Sequence, residues 1–415
     1  MALSTKDIRN VAIAGHNGTG KTSLFEQFLY YSNVISRPES VDSGKTTSDY
    51  TEEEIARKIS IHSALANIAW QGRSISFIDT PGTADFVGEV ICGFRTCDSV
   101  LMVVDARDGA QIETIKLWRN LNQRNKPRMV FLNKMERERV DYGATFNHLK
   151  EEFKTTFVPV TIPMGEGTGF KGVINLIENK AYFFHAGQKE TVGEIPAEYA
   201  DEVEQYRESL MEAAAEGTDE LMEKFLEEMT LEPEEIHEGL KEGLKNNVLV
   251  PVFCGSTINN AGITNLLDFI ADIAPSPEGA QDIIVKEDGT EEKIIVGDGA
   301  LAAFCFKTAI DQFSGKLSYI KVIQGTLTGE SDIYNPEIGK KEKPGKVYRA
   351  VGKKLIEAPA LVAGDIGIIA KSNVAATNCT LVGGPDQKYT FKPLSLPNPI
   401  YSLAISAADK KSEDR

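Results

Sequence analysis

The stretch that decides the fold is Gly15-His16-Asn17-Gly18-Thr19-Gly20-Lys21-Thr22, which matches the pattern G-x-x-x-x-G-K-S/T. The apolar run at residues 11–14 predicts a strand before it, and the apolar run at residues 24–30 predicts a helix after it. In this setting the glycines let backbone N–H groups point at a phosphate, Lys21 bridges the β- and γ-phosphates, and the Thr22 hydroxyl can bind Mg²⁺. The stretch therefore predicts a strand–loop–helix unit that binds a nucleotide.

Short apolar runs alternate with longer amphipathic stretches from residue 11 to about residue 275. This alternation predicts an α/β fold in which helices cover a parallel sheet. Four of the five predicted strands run directly into a polar or glycine-rich motif, and open α/β sheets bind ligands at this carboxyl edge. The five predicted strands are residues 11–14, 75–78, 100–104, 129–132 and 250–253.

A second phosphate-site motif, Asp79-Thr80-Pro81-Gly82, ends the strand predicted at residues 75–78. A carboxylate at this place can hold Mg²⁺ through water, and a backbone N–H can contact the γ-phosphate. Another Gly-Lys-Thr, at residues 44–46, follows no strand and has Glu39 where the pattern needs glycine, so we predict no phosphate role for it. His16 is expected to line the first loop rather than to act as an acid or base.

The motif Asn133-Lys134-Met135-Glu136 closes the fourth predicted strand and resembles the N-K-x-D signature with which GTPases recognise guanine. The acid of that signature accepts two hydrogen bonds from guanine, an arrangement that adenine cannot satisfy. Glu136 places the same carboxylate one methylene further out, so we expect guanine preference with reduced affinity. Cys254-Gly255-Ser256-Thr257 resembles the fifth motif of these proteins, whose backbone contacts the guanine oxygen.

The order of these motifs resembles that of translational GTPases, and specifically of elongation factor G. An insertion supports the narrower resemblance, since 123 positions separate Asn133 from Ser256 and the family carries an inserted subdomain there. The resemblance covers essentially the whole chain. It rests on the segments 79–82 with 85–86, 170–174, 249–256, 322–327, 363–366 and 397–401.

Prolines and a glycine at residues 275–279 mark a domain boundary. Beyond it, short β-rich segments predict a small all-β barrel, with strands at 302–306, 319–323, 347–351 and 366–369. A last strand is predicted at 400–406, close to the end of the chain, which looks truncated. The predicted fold is thus a P-loop GTPase with a doubly wound, mainly parallel sheet and an α+β insertion, followed by the barrel. The predicted domains are 1–278 (insertion about 160–248), 279–395, and the start of a third domain at 396–415.

Charge is concentrated in the insertion. Residues 194–242 hold 18 Asp and Glu against three basic residues, a net charge of −15 out of −16 for the chain. An acidic protein gains nothing from loose binding to nucleic acid. Tyr199, Val203, Tyr206 and Leu210 form one apolar stripe on an otherwise acidic helix, whose charged face is either solvated or a docking surface for a basic partner.

Composition excludes several other classes of protein. No apolar run of 18 residues occurs and the N-terminus is polar, so we predict neither a membrane span nor a secretory signal, and hence a cytoplasmic location. The five cysteines form no CxxC pair, which argues against zinc binding and a disulfide framework. We expect reduced structural thiols.

Four departures from the family pattern bear on function. Switch I reads Arg57-Lys58-Ile59-Ser60-Ile61, where Ser60 keeps the Mg²⁺-binding hydroxyl but Lys58 replaces a glycine, and Gly18 replaces an aspartate. Glu136 is the third departure. The largest is Thr83, because the family has there the histidine that helps to position the attacking water. His62 could substitute, although an ordinary polar surface role is the expected one.

These observations predict a ribosome-associated translation factor that binds Mg²⁺ with GTP or GDP and hydrolyses GTP on the ribosome. By resemblance, the acidic insertion would dock on the ribosomal stalk, and the protein would be a monomer without membrane contact. Alternatives are a hydrolysis-deficient, nucleotide-gated ribosome-binding module and, more remotely, a metabolic P-loop kinase or ATPase. The expected catalytic positions are Lys21 and Thr83, and the expected metal ligands are Thr22, Ser60 and Asp79. The expected nucleotide contacts are Gly15, His16, Asn17, Gly18, Thr19, Gly20, Lys21, Thr22, Ser23, Asp79, Thr80, Pro81, Gly82, Asn133, Lys134, Met135, Glu136, Ser256 and Thr257.

Overall fold

The five predicted strands of the α/β part all form, and each extends beyond its apolar run. The computed structural model describes residues 3–185, 188–311, 314–399 and 401–407. Four of these strands are buried along their whole length, which explains why they are largely apolar rather than alternating. Before the insertion, β1–β6 span Ile8–Ala14, Ala64–Trp70, Arg73–Asp79, Ser99–Asp105, Arg128–Asn133 and Thr156–Pro159, and α1–α5 span Lys21–Tyr31, Glu52–Arg57, Val87–Thr96, Ile112–Arg124 and Tyr142–Phe153.

The insertion is an α+β unit, as predicted. It begins with a four-stranded antiparallel sheet and continues with three helices, the first of which buries Val203 and Leu210 of the predicted stripe. Within the described part of the chain, no helix has both the length and the apolar character needed to cross a membrane. The elements of the insertion are β7–β10 at Thr161–Met164, Gly172–Asn175, Lys180–Phe183 and Thr191–Gly193, and α6–α8 at Ala200–Ala215, Asp219–Glu228 and Pro233–Lys245. After the insertion come β11 (Leu249–Cys254) and α9 (Ile263–Asp272).

The central sheet has the strand order β2-β3-β1-β4-β5-β11-β6. Every pair is parallel except β2 with β3. Asp79 on β3 pairs with Ile13 on β1, and Asn133 on β5 pairs with Asp105 on β4, so the motifs that follow these strands meet at one edge. The sheet therefore brings the phosphate and guanine motifs together, as expected for a doubly wound α/β fold.

After the boundary at residues 275–279 the chain forms an all-β domain of antiparallel strands. The four strands predicted there all form. We call this part the β domain. Its strands β12–β24 span Gln281–Lys286, Glu291–Ile295, Ala302–Asp311, Gly315–Gln324, Thr326–Leu327, Ile333–Asn335, Lys340–Glu342, Val347–Val351, Lys354–Ala358, Leu361–Val362, Ile366–Ala370, Cys379–Val382 and Tyr389–Phe391.

The last predicted strand is wrong over the part that the structure describes. Residues 401–406 form no strand, and Ile400 lies outside the described residues. The side chains of Tyr401, Leu403 and Ile405 are 76%, 75% and 96% exposed, so the apolar alternation that suggested a strand has no surface to pack against. A strand needs a hydrogen-bonded neighbour, and none of the described strands pairs with this segment.

The two domains are joined by direct contacts across their boundary. β19 pairs with β2 at Val351 and Ala66, and the Gly352 amide donates to the Leu65 carbonyl at 2.9 Å. A bidentate ion pair between Arg95 and Asp282 adds bonds of 2.9 and 2.8 Å. The β domain is therefore held against the part of the α/β domain that carries β2 and α3.

All five cysteines are buried and free. Cys305 and Cys379 lie opposite each other on the paired strands β14 and β23 without forming a disulfide. Burial raises the pKa of Cys92 to about 11, so this thiol stays protonated at neutral pH. These positions agree with the prediction of structural thiols.

Candidate nucleotide-binding site

The phosphate-binding loop joins β1 to α1 and has a backbone that only glycine fits at two positions. Gly15 has φ +149°, and a Cβ atom there would lie 2.3 Å from the Val103 carbonyl oxygen. Gly20 has φ +97°, and its Cβ would lie 2.3 Å from the Asn133 side-chain nitrogen. The loop is thus packed against β4 and against the guanine motif, which is the close approach that a side chain would prevent.

Lys21 begins α1 and is buried at the base of this loop. Its Nζ donates a hydrogen bond to the His16 carbonyl at 2.8 Å, which holds the ammonium against the loop. Burial lowers the pKa of Lys21 to about 8, although the charges of Asp79 and Asp49 oppose this shift. The site therefore holds a poorly solvated positive charge, the kind of group that a polyphosphate stabilises.

The three predicted metal ligands lie together. The Thr22 hydroxyl donates to Asp79 Oδ2 at 2.9 Å, and the Ser60 hydroxyl lies 3.1 Å from the Thr22 hydroxyl. Ser60 reaches this place from a loop 38 residues away in sequence. Two hydroxyls and a carboxylate from three separate segments thus meet at one point.

A second carboxylate in this cluster, Asp49, escaped the sequence-based prediction. Both of its oxygens are buried without a hydrogen-bond partner, as is Asp79 Oδ1. Burial raises the pKa of Asp49 to about 6, and burial together with the charge of Asp49 raises that of Asp79 to about 7. Asp49 lies in an irregular stretch before α2 where no motif marks it, so only its position in the fold identifies it.

The residues present fit Mg²⁺. Carboxylate and hydroxyl oxygens are the ligands that this ion prefers, and two mutually repelling carboxylates gain from a cation between them. Among the described residues no cluster of three or more His, Cys, Asp or Glu side chains is placed to hold a metal. A divalent ion at this site would therefore rely also on hydroxyls, water and substrate phosphates, which suits Mg²⁺.

Replacing Asp79 with asparagine is expected to reduce the loss of stability of the nucleotide-free protein between pH 5 and pH 8 by about 1–3 kcal/mol. The pKa of Asp79 rises from its usual 3.8 to about 7 on folding, so between these values the folded chain holds a proton that the unfolded chain lacks. Stability consequently falls as the pH rises through this window, and the Asp79→Asn variant lacks that loss. Thermal unfolding at pH 5 and pH 8 checks this: stability should fall less between the two pH values in the variant than in the wild type, and an equal fall would contradict the prediction.

The guanine motif is linked directly to the phosphate loop. The Asn133 side chain donates to the Thr19 carbonyl at 2.8 Å and accepts from the Thr257 amide at 3.0 Å. Lys134 donates to the Gly18 carbonyl and, at 2.9 Å, to Asp105 Oδ2. The loops after β1, β5 and β11 are therefore held in one arrangement, so the base and the phosphates would be bound at a set separation.

Asp105 is a further site residue that the sequence-based prediction missed. It ends β4, is buried, and accepts hydrogen bonds from Lys134 at 2.9 Å and Arg137 at 3.0 Å. The rule that polar residues at strand ends form the site would have found it, since Asp105 follows the apolar run at 100–104.

Glu136 carries an unsatisfied group. Its Oε2 atom is buried and has no hydrogen-bond partner. The loop around it is held by the Met135 amide, which donates to the Gly255 carbonyl at 3.1 Å. A buried carboxylate oxygen without a donor is costly, and the N1 and N2 groups of guanine are donors of the kind that would satisfy it.

A cleft of about 220 Å³ lies between these loops. Some of the predicted site residues do not line this cleft, and several of these are buried behind its wall. The predicted residues that do not line it are Gly15, His16, Thr19, Asp79, Thr80, Pro81, Thr83, Asn133, Met135, Glu136 and Ser256. The cleft is also lined by residues that were not predicted, namely Val41, Asp49, Lys58, Ile59 and Ile258. The predicted residues that do line it are Asn17, Gly18, Gly20, Lys21, Thr22, Ser23, Ser60, Gly82, Lys134 and Thr257.

The segment that carries Ser60 is held by a short helix. Thr51 and Glu54 form a capping box at the start of α2, and Glu54 also accepts from the amides of Ile61 and His62 at 3.1 and 3.0 Å. Lys58 ends this helix with φ +55°, a left-handed conformation that glycine adopts without strain. A lysine in this conformation costs about 1 kcal/mol but leaves Ser60 in place.

Neither Thr83 nor His62 provides a base at the nucleotide cleft. Thr83 is partly buried and begins a short turn at Ala84–Phe86, with no capping hydrogen bond from its side chain. His62 Nδ1 lies 3.8 Å from a Glu89 carboxylate oxygen, and this contact raises the pKa of His62. His62 lines a different cavity, between the two domains, which agrees with the ordinary polar role expected for it.

Comparisons with known proteins match both halves of this chain. The family model of the elongation factor Tu GTP binding domain matches residues 6–276, and that of elongation factor G domain 2 matches residues 300–384. A crystal structure of a protein from Thermus thermophilus superposes with a TM-score of 0.82 at 29% sequence identity, covering 91% of this chain and 54% of that one. The present chain thus spans about half the length of that solved relative.

Proposed function

Since the chain belongs to the family of the elongation factor Tu GTP-binding domain and is a translational GTPase, we propose that it binds Mg²⁺ with GTP or GDP and acts as a switch on the ribosome. The observation that carries this proposal is the meeting of Thr22, Ser60 and Asp79 beside Lys21. Thr22 belongs to the phosphate loop and Ser60 to switch I, so an ion bound between them would couple the nucleotide to a mobile segment.

The residues of the site have separable roles in this proposal. Lys21 neutralises phosphate charge, and the cation would be held by Thr22, Ser60, Asp79 and Asp49. A bound cation would screen the phosphates and stabilise the charge that develops during phosphoryl transfer. Asn133 and Glu136 select the base. Gly82 lies against Lys21 and the Asn17 backbone, and a Cβ atom on Gly82 would lie 2.3 Å from Lys21 Nζ. This close packing places the Gly82 amide beside the phosphate loop.

Competition titration tests the nucleotide assignment. The purified protein should bind GDP and GTP at least about 100-fold more tightly than ADP and ATP, because adenine leaves the carboxylate of Glu136 without donors. Equal affinities for the two bases would contradict the proposal.

The ribosomal partner is proposed from the resemblance and from the acidic insertion. Helices α6–α8 carry most of the net negative charge of the chain, and Leu226 and Met229 at the end of α7 are 70% and 63% exposed among acidic neighbours. An apolar pair on an acidic surface suits a basic partner with an apolar face, as the ribosomal stalk would provide. We also propose the domain limits 1–278, 279–395 and 396–415, a cytoplasmic location and a monomeric state.

A second candidate function is a nucleotide-gated module that occupies the ribosome without depending on hydrolysis. Thr83 favours it, since a threonine hydroxyl cannot act as the histidine of the family does. The two candidates differ in single-turnover GTP cleavage with added ribosomes. A ribosome-stimulated burst that Asp79→Ala abolishes would support hydrolysis, whereas binding without cleavage would support the second function.

Replacing Thr83 with histidine is expected to raise ribosome-stimulated GTP cleavage at least about tenfold, because a single catalytic side chain supplied to the reacting phosphate can contribute a factor of roughly 10³–10⁵ in related switches. Thr83→Val serves as the control, since it keeps the shape of threonine without adding a base. The cleavage rate in single-turnover experiments is the measurement. An unchanged rate in Thr83→His would show that another group already positions the water.

A further inference from the structure

Two buried lysines reach from the β domain into the GTP-binding domain. Lys307 on β14 and Lys321 on β15 each have a side chain that is only 7% exposed. They end at different places. Lys321 donates to the Thr96 carbonyl at 2.7 Å and to Asp98 at 2.6 Å, between α3 and β4 and away from the nucleotide segments.

Lys307 ends between two segments of the nucleotide site. Its Nζ donates to the Ser63 carbonyl at 2.9 Å, to the Ser63 hydroxyl at 3.1 Å and to Glu89 Oε2 at 2.6 Å. Glu89 Oε2 also accepts from the Ser63 amide at 2.7 Å and from its hydroxyl at 2.6 Å. We call these three residues the Lys307 clamp. The three donors of the ammonium are all used, so the buried charge is fully satisfied only in this arrangement.

The clamp touches two segments that carry residues of the proposed site, namely the segment with the cation ligand Ser60 and the segment with Gly82 and Thr83. Ser63 lies three residues after Ser60, and Glu89 lies on α3, six residues after Thr83. The strand that presents Lys307 has a register shift between Cys305 and Lys307. Such an irregularity re-aims a side chain, and here it precedes the one that crosses the domain boundary.

We propose that Lys307 is a positioning residue through which the β domain favours the GTP-ordered arrangement of the segments that carry Ser63 and Glu89. The inference rests on the proposed Mg²⁺-GTP switch. If the Ser63 segment moved away, Lys307 would lose two of its three acceptors, and if α3 moved away it would lose the Glu89 carboxylate. Either change leaves a buried ammonium incompletely paired, which is costly in a low dielectric. The clamp therefore favours the state in which both segments are docked, and by linkage it raises affinity for GTP relative to GDP.

Two further observations support this assignment. Burial by itself would raise the pKa of Glu89, but His62, Lys307 and Ser63 together lower it well below its usual value, so the carboxylate is charged. Beside the clamp lies a cavity of about 370 Å³ lined by residues of both domains, among them Tyr50, His62 and Tyr319. The boundary is thus loosely filled here, and a single charged contact has more influence than it would within a packed interface.

Matched variants test the proposal in the full chain. Lys307→Met should lower affinity for a non-hydrolysable GTP analogue about tenfold relative to affinity for GDP. Lys321→Met removes an equally buried ammonium from the same domain boundary and takes the cation from Asp98, which keeps its hydrogen bond from the Asn10 side chain at 2.7 Å. It should leave the ratio of the two affinities unchanged, although both variants lose thermal stability.

Glu89→Gln should shift the ratio in the same direction, and its effect should not add to that of Lys307→Met, because the two residues share one contact. Lys307→Arg keeps the charge and should restore part of the ratio. An equal shift in Lys307→Met and Lys321→Met, or a wild-type ratio in Lys307→Met and Glu89→Gln, would overturn the role of the clamp. Failure of the wild-type protein to bind either guanine nucleotide would instead overturn the proposed function.

Discussion

The Lys21→Met variant is expected to bind GTP about 10²- to 10⁴-fold more weakly than the wild-type protein, and GDP, which lacks the γ-phosphate, about 10- to 10²-fold more weakly. Lys21 would donate charge-assisted hydrogen bonds to two phosphates, each contributing about 1.5–3 kcal/mol, and a loss of 1.4 kcal/mol lowers affinity tenfold. Its ammonium is buried against the His16 carbonyl, so no solvated lysine can replace it. Fluorescence titration with a labelled guanine nucleotide measures the change.

The chain supplies its own control in the second Gly-Lys-Thr. Lys45 occupies the same place in that tripeptide, but it follows a short helical turn at Val41–Ser43 rather than a strand, and its side chain is exposed. Lys45→Met should therefore bind nucleotide like the wild type. If both variants lost affinity to the same extent, the loss would reflect general positive charge rather than a phosphate site, and the assignment of the loop would be wrong.

Glu136→Ala is expected to remove most of the preference for guanine, a loss of about 10²-fold in the ratio of GTP to ATP affinity. Two guanine donors would pair with this carboxylate, and hydrogen bonds to charged groups contribute about 1.5–3 kcal/mol each. The reduction should come from weaker GTP binding and not from tighter ATP binding, since adenine offers the carboxylate no donor pair. Competition titration with the four nucleotides measures both affinities.

Two further variants serve as controls for this experiment. Glu136→Asp restores the acid of the N-K-x-D signature and should keep the preference for guanine, with affinity equal to or above that of the wild type. Glu138→Ala removes an exposed carboxylate two residues away and should change neither affinity. A wild-type ratio in Glu136→Ala would show that the base is selected elsewhere, in which case the unpaired Oε2 atom has another partner.

Patterns that are local in sequence were predicted well. The five strands of the α/β part and the four of the β domain follow from short apolar runs, because burial on both faces requires apolar side chains whatever the neighbours are. The phosphate loop was equally clear, since a side chain at Gly15 would meet the Val103 carbonyl and one at Gly20 would meet the Asn133 side chain. The failure at residues 401–406 has the opposite cause: apolar alternation predicts a strand only where another strand is available to pair with it.

The sequence by itself determined the order of the motifs, the fold class and the kind of ligand, because each depends on residues close together in the chain. The tertiary structure decided which distant side chains complete the site. Asp49 joins Asp79 only because a loop folds back onto the phosphate site, and Lys307 meets Glu89 and Ser63 only because the β domain packs against β2 and α3. Buried charges are stable only beside partners, so the residues that link the two domains can be recognised only once the chain is folded.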